Sequence, residues 1–110
     1  MKSFHKIILL LIALSLGMAF GKRPLLNTQV HVSGNCEHCK TRIESAAKLK
    51  GVKTSSWNPD KQVLTVTYDS SIVVIEDIEK SVANSGHDTE HFSADSIAYS
   101  NLPHCCQYRP

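Results

Sequence analysis

Short stretches in which apolar and polar residues alternate are separated along the chain by two longer stretches with helical spacing. Alternation is clearest where Val30 and Val32 lie between polar neighbours, and again through Leu64, Val66 and Tyr68. This pattern is typical of half-buried strands. The predicted strands are Asn27 to Ser33, Val52 to Trp57, Gln62 to Tyr68 and a short last one within Asp88 to Ser93.

The two longer stretches predict amphipathic helices, from Glu37 to Lys50 and from about Val73 to Ser85. A glycine follows each, as is common at helix ends. The order β-α-β-β-α-β predicts a ferredoxin-like α+β sandwich, with an antiparallel sheet and both helices on one face. We expect this domain to span residues 25–93, followed by a cysteine-containing tail over residues 94–110.

The N-terminus differs from the rest of the chain. Lys2 and Lys6 precede an apolar run from Ile7 to Leu16, and small residues follow at Ala19 and Gly21. These features indicate a secretory signal over residues 1–21. The run is short of the ~20 residues that span a bilayer, so we expect no membrane span after cleavage and a periplasmic or secreted location.

Cleavage also changes the charge of the protein. The full chain has 12 basic and 10 acidic residues, and removal of Lys2 and Lys6 leaves the two signs balanced. A basic face is the minimum footprint of a nucleic-acid-binding protein, so nucleic acid is not an expected partner. All four cysteines remain in the mature chain.

The cysteines form two close pairs, Cys36 with Cys39 and Cys105 with Cys106. Four cysteines in a small exported protein suggest disulfides, but this spacing favours two local sites, with a bridge between the pairs as the alternative. Cys36 and Cys39 lie where the first helix begins, and a helix N-terminus favours thiolate over thiol. Two thiolates suit a soft ion such as Cu(I); a local disulfide and a redox pair are the alternatives.

The segment Val30 to Glu90, with Cys36-x-x-Cys39 after the first strand and Gly86-His87-Asp88 after the second helix, resembles the heavy-metal-associated domain family. This family includes copper chaperones, modules of copper-exporting ATPases and a periplasmic mercury-binding protein. The resemblance implies a surface-exposed Cys36/Cys39 site that passes its ion to a partner by ligand exchange. Cu(I) is the expected ion, with Hg(II), Ag(I) and Zn(II) as alternatives.

The sequence departs from the family pattern before the first cysteine. Gly34 stands where the family has a methionine packed beneath the loop, which predicts a less rigid loop. Asn35 supplies no carboxylate of the kind that zinc- and cadmium-preferring members carry there. His38 and His87 are candidate auxiliary residues, and His87 occupies the position where the family places a lysine or an aromatic residue near the metal.

The tail is predicted to carry a second soft-metal site at His104, Cys105 and Cys106, or to fold back and cap the first. Pro103 stops any preceding helix, so these thiols are expected on an exposed irregular segment, with Tyr99, Leu102 and Tyr108 as anchors. A disordered terminus is the alternative. Trp57 is expected to be a packing residue at a strand end.

Together these features predict a monomeric, exported metallochaperone or scavenger that docks transiently on a metal-transport or efflux protein. No catalytic motif is recognisable, so the protein is not expected to be an enzyme. The competing functions are a periplasmic Hg(II)-binding protein, a thiol-disulfide oxidoreductase using Cys36 and Cys39, and a zinc-stabilised structural module using all four cysteines.

Overall fold

The computed structural model describes residues 24–110, and the predicted signal lies outside them. The described elements follow the predicted order up to the second helix and continue into the tail. They are β1 (Leu26–His31), α1 (Glu37–Ala47), β2 (Val52–Asn58), β3 (Val63–Tyr68), α2 (Ile75–Asn84), α3 (Ser96–Ser100) and a 3₁₀ turn (His104–Cys106). Within residues 24–110, no helix combines the length and apolar character needed to cross a bilayer.

The three strands form an antiparallel sheet in the order β1-β3-β2. Leu64 of the central strand β3 pairs with Val30 on one side and with Trp57 on the other. All three side chains are buried, because this face of the sheet is covered by both helices. The ferredoxin-like α+β fold is confirmed.

Apolar side chains from the sheet and from both helices share one core. The buried positions at its centre are Val30, Val32, Ile43, Ala47, Val52, Trp57, Leu64, Val66, Ile78 and Val82. Cys39 and Cys106 belong to the same buried cluster. The start of α1, which bears Cys39, and the 3₁₀ turn, which bears Cys106, are therefore held by the main core of the domain.

The first helix ends earlier than predicted. It stops at Ala47, and Lys48 leaves the helical conformation with a ψ of 57°. Gly51 instead starts the turn into β2, with a φ of 97°, and a Cβ at this position would lie 2.8 Å from the Ile72 side chain. Only glycine has ready access to this backbone conformation in so little space.

The predicted last strand is reduced to one bridge, in which Thr89 pairs with Val32. The backbone amides that a longer ladder would use are bound locally or by side chains. The N–H of Thr89 donates to the Phe92 carbonyl at 2.8 Å, and that of Phe92 to Thr89 Oγ1 at 3.1 Å. The N–H of His91 donates to the Glu79 carboxylate at 3.1 Å. The prediction of a strand here is wrong beyond Thr89.

The tail packs onto the domain. Its short helix α3 is capped by Asp95, whose carboxylate accepts from the Ala98 N–H at 2.9 Å. Leu102 is buried, and Cys106 at the end of the 3₁₀ turn is fully buried. The tail is ordered structure docked on the core, so the alternative of a disordered terminus is wrong.

Candidate metal centre

Cys36 and Cys39 come together where β1 passes into α1. Cys36 is extended, with a φ of −143°, and directly precedes the helix, while Cys39 lies in its first turn. Their Sγ atoms are 3.8 Å apart. Cys36 is half-buried and Cys39 is fully buried. The expectation of a surface-exposed pair therefore holds for Cys36 alone, because the Cys39 side chain points into the core.

The start of α1 stabilises negative charge on Cys36. The backbone amide of Cys39, and then that of His38, lowers the pKa of the Cys36 thiol to about 7, although desolvation acts in the opposite direction. The backbone N–H of Asn35 donates to Cys39 Sγ at 3.4 Å. Free N–H groups at a helix start favour thiolate over thiol, so the loop supplies sulfur in the form that metal ions bind.

The loop before Cys36 is supported from below by Trp57. A Cβ on Gly34 would lie 3.0 Å from the Trp57 ring and 3.1 Å from the Cβ of Cys39. The indole N–H donates to the Val32 carbonyl at 2.9 Å, and the ring is buried. Trp57 is thus confirmed as a packing residue. The indole fills the space that a larger residue at position 34 would occupy, so the loop is packed here against Trp57 in place of a methionine.

A third sulfur reaches the pair from the tail. The Sγ atoms of Cys36, Cys39 and Cys106 all lie within 4.8 Å of one another, and within residues 24–110 no other set of three or more cysteine, histidine or acidic ligands is so placed. All four cysteines are free thiols. The expectation that the tail thiols are exposed is wrong for Cys106, whose side chain is fully buried.

The adjacent tail cysteines point in different directions. A 3₁₀ turn has three residues per turn, so neighbouring side chains diverge by about 120°. Cys106 therefore faces the site, whereas the Cys105 side chain is exposed. The Cys105 carbonyl nevertheless lies 3.7 Å from Cys36 Sγ and accepts from the Asn35 side-chain amide at 3.4 Å. Of the two arrangements predicted for the tail, this geometry corresponds to the one that caps the first pair.

Cys106 differs electrostatically from Cys36. Burial raises the pKa of the Cys106 thiol well above its ordinary value, and the neighbouring sulfurs of Cys39 and Cys36 act in the same direction. Without a bound ion, Cys106 is therefore a neutral thiol at neutral pH. A cation among the three sulfurs would favour its deprotonation, because coordinating thiols lose their proton to the metal charge.

His87 is a buried residue beneath the tail. Its Nδ1 donates to the Ser33 carbonyl at 2.9 Å, and Nε2 has no hydrogen-bond partner among the described residues. The ring stacks on Tyr108 with centroids 5.6 Å apart. Burial lowers the pKa of His87, so the ring is neutral at neutral pH. Within the described residues neither ring nitrogen is bonded to a sulfur, and the ring supports the loop before Cys36 through the Ser33 carbonyl.

The other candidate histidines lie at the surface. His38 and His104 are exposed, and neither belongs to the group of three sulfurs within the described residues. The auxiliary roles predicted for them stay predictions. The sequence did not predict that Asn35 helps to hold the tail beside the cysteine pair. Its side-chain amide donates to the Cys105 carbonyl only because the tail folds back onto the domain, and local sequence cannot reveal that reversal.

Aromatic and charged contacts anchor the tail beyond Cys106. Tyr108 Oη accepts from the Asp88 N–H at 2.6 Å and donates to the Gly86 carbonyl at 3.2 Å. The Arg109 guanidinium makes two hydrogen bonds to the Asp88 carboxylate, at 2.7 and 3.2 Å, and stacks over the Tyr99 ring. With Leu102 buried before the 3₁₀ turn, the segment is held on both sides of Cys106.

Fold and site together define a class: a ferredoxin-like domain with a Cys-x-x-Cys motif at the start of its first helix. Residues 29–88 match the model of the heavy-metal-associated domain, and the chain belongs to this family. The match ends before the tail, so Cys105 and Cys106 lie outside the part that the family describes.

Individual relatives are similar over the same region. The copper chaperone CopZ of Staphylococcus haemolyticus is 34% identical over 68 residues, which is 60% of this chain and all of the relative. A solved CopZ metallochaperone is 29% identical with a TM-score of 0.56, covering 58% of this chain and 98% of its own. The N-terminal domain of the zinc(II) ATPase ZiaA is 38% identical with a TM-score of 0.53, covering 61% and 97% respectively.

Proposed function

We propose that this protein is an exported metallochaperone or scavenger that binds Cu(I) through Cys36 and Cys39 and passes it to a metal-transport or efflux protein. The observation that carries the proposal is the convergence of sulfur ligands, 3.8 Å apart in the Cys-x-x-Cys pair, at a loop where Cys36 reaches the surface. The similarity to CopZ copper chaperones supports it.

The chemistry of the site favours a soft monovalent ion. Thiolates select ions such as Cu(I), whereas structural zinc sites usually have four ligands. Within the described residues the three-sulfur group includes no carboxylate or imidazole, and Asn35 occupies the position before the first cysteine. Two thiolates and one Cu(I) carry a single negative charge, which the start of α1 stabilises.

Zn(II), Ag(I) and Hg(II) are the competing ions. The 38% identity to a domain of a zinc(II) ATPase supports zinc, and an all-sulfur site also suits mercury or silver. Competition separates these ions. We expect Cu(I) to displace Zn(II) from the purified protein, and an unchanged zinc content in the presence of excess Cu(I) would contradict the copper assignment.

Transfer by ligand exchange requires access to a sulfur. Cys36 is the sulfur of the pair that solvent reaches, and its thiolate form is accessible near neutral pH because its pKa is lowered to about 7. An incoming thiolate of the acceptor would replace one sulfur of the pair before the second is released. No catalytic turnover of an organic substrate is involved, and a transient complex with a monomer suffices.

The proposal of export depends on the N-terminal sequence. A basic start, an apolar run and small residues at the expected cleavage point support a secretory signal over residues 1–21. Mass spectrometry of the protein isolated from its native cells provides the test. We expect a chain that begins near Lys22 in the periplasmic or secreted fraction, and an intact N-terminus in the cytoplasmic fraction would contradict export.

The competing enzymatic function is thiol-disulfide exchange, since Cys36 has the lowered thiol pKa of a redox motif. Reduced protein is titrated with Cu(I) against a chromophoric chelator, and its rate of disulfide reduction is measured on a model substrate. We expect one Cu(I) per chain, loss of that binding in Cys36→Ser and retention in the control Cys105→Ser. Rapid reduction of the model disulfide with no Cu(I) retention would overturn the proposal.

A further inference from the structure

The tail brings a buried thiol to the Cys-x-x-Cys pair from a part of the chain outside the family match. Cys106 lies 67 positions after Cys39 in the sequence, yet its sulfur is within 4.8 Å of both sulfurs of the pair. On the basis of the function proposed above, we propose that Cys106 is a third sulfur ligand, which closes the site over a bound soft ion.

The spacing of the sulfurs supports three ligands rather than two. With metal–sulfur bonds of about 2.3 Å, two sulfurs on opposite sides of an ion are about 4.6 Å apart, whereas three sulfurs around it are about 4.0 Å apart. The Cys36 and Cys39 sulfurs are 3.8 Å apart. This separation is shorter than that of two opposed sulfurs and in the range of arrangements with three or more ligands, which leaves a further position that Cys106 can take.

The position of Cys106 is maintained by the fold. The turn that carries it is closed by the Cys106 N–H, which donates to the Pro103 carbonyl at 2.8 Å. Leu102 is buried on one side of the turn, and Tyr108 is hydrogen-bonded to Asp88 and Gly86 on the other. The third sulfur is therefore placed beside the pair before an ion arrives, so little ordering of the tail opposes binding.

A third ligand has a consequence for transfer. On loading, the cysteine thiols release their protons to solvent and form bonds to the ion. An acceptor thiolate then bonds to the ion on the side of Cys36 that solvent reaches and replaces the cysteines one sulfur for another, and each displaced cysteine takes a proton from solvent. The tail thus increases retention of the ion until an acceptor with its own thiolates competes for it.

X-ray absorption at the copper edge of the Cu(I)-loaded full-length mature protein counts the sulfur ligands directly. We expect three sulfurs in the wild type and in Cys105→Ser, and two in Cys106→Ser. Cys105 is a matched control because it is the adjacent cysteine but its side chain is exposed. Since the wild-type spectrum needs no substitution, the test stands even if a variant fails to fold.

Chelator competition provides the second readout. Loss of a residue that only hydrogen-bonds to a metal ligand typically costs 10–100-fold in metal affinity. Because Cys106 is proposed as a ligand itself, we expect Cys106→Ser to weaken Cu(I) binding by at least about 10-fold, and Cys105→Ser to stay within about twofold of the wild type. Two sulfurs in the wild type, together with equal affinities for both variants, would overturn the role of Cys106. In that case, loss of Cu(I) binding in Cys36→Ser would still leave the proposed function intact. A wild type that binds no Cu(I) would overturn both.

Discussion

Replacing Trp57 with phenylalanine should destabilise the domain and loosen the metal-binding loop. The indole N–H donates to the buried Val32 carbonyl at 2.9 Å, and the outer ring carbons lie against Gly34. Phenylalanine keeps an aromatic ring on β2 but has neither the donor nor the second ring. The substitution therefore removes one hydrogen bond and leaves space beneath the loop.

The expected magnitude follows from these two losses. A buried acceptor deprived of its donor costs about 1–3 kcal/mol. A residual cavity of roughly 40 Å³, at about 24 cal/mol per Å³, adds about 1 kcal/mol. The free energy of unfolding should thus fall by about 2–4 kcal/mol, which for a domain of this size lowers Tm by roughly 10–25 °C.

Urea unfolding followed by far-UV circular dichroism is the appropriate assay, because the substitution removes the one tryptophan of the chain. Ser56→Ala, at the exposed neighbouring position on the same strand, is the control and should stay within about 0.5 kcal/mol of the wild type. A Trp57→Phe protein that unfolds at the same urea concentration as the control, and binds Cu(I) equally tightly, would refute the role of the indole.

Three further predictions concern single groups. Alkylation of Cys36 should accelerate as pH rises, with a midpoint near pH 7, because its pKa is lowered to about 7 and only the thiolate reacts; a midpoint near the ordinary thiol value in mass-spectrometric kinetics would contradict this. Gly51→Ala should lower the free energy of unfolding by about 1–3 kcal/mol in urea titrations, since φ is 97° there; wild-type stability would be contrary evidence. The Glu79 carboxylate raises the pKa of His91, so His91 should stay protonated to higher pH than a free histidine, and Glu79→Gln should reverse the shift by NMR; equal titration curves would exclude the coupling.

The central fold and the first cysteine pair could be predicted because their signals are local. Alternation through Leu64, Val66 and Tyr68 marks a strand with one buried face, and these side chains are buried in the structure. The spacing of Cys36 and Cys39 places two sulfurs at one helix start, whatever the rest of the chain does. Such patterns depend on neighbours within a few residues.

The remaining features depend on contacts between distant parts of the chain. The last strand fails beyond Thr89 because the backbone amides that follow are taken by nearby groups, among them the Glu79 carboxylate. Gly34, in the loop before Cys36, is packed against Trp57, which comes from β2. No periodicity in the sequence encodes either contact.

The tail illustrates the same limit. The sequence suggested residues that anchor the tail and two possible arrangements of its thiols, but it predicted that both thiols are exposed. The 3₁₀ turn separates them, burying Cys106 beside the pair and exposing Cys105. Which of two adjacent cysteines faces the site depends on the turn type and on how Tyr108 and Leu102 dock, and neither is visible in a short sequence window.

The metal content of the protein, purified without oxygen from its native compartment, tests the central claim most directly. We expect about one copper per mature chain, with all copper bound through sulfur, in the exported fraction. Elemental analysis combined with intact-mass spectrometry measures both the ion and the processed chain. Protein that carries zinc or mercury instead of copper, or that contains no metal and holds its cysteines in disulfides, would contradict the account.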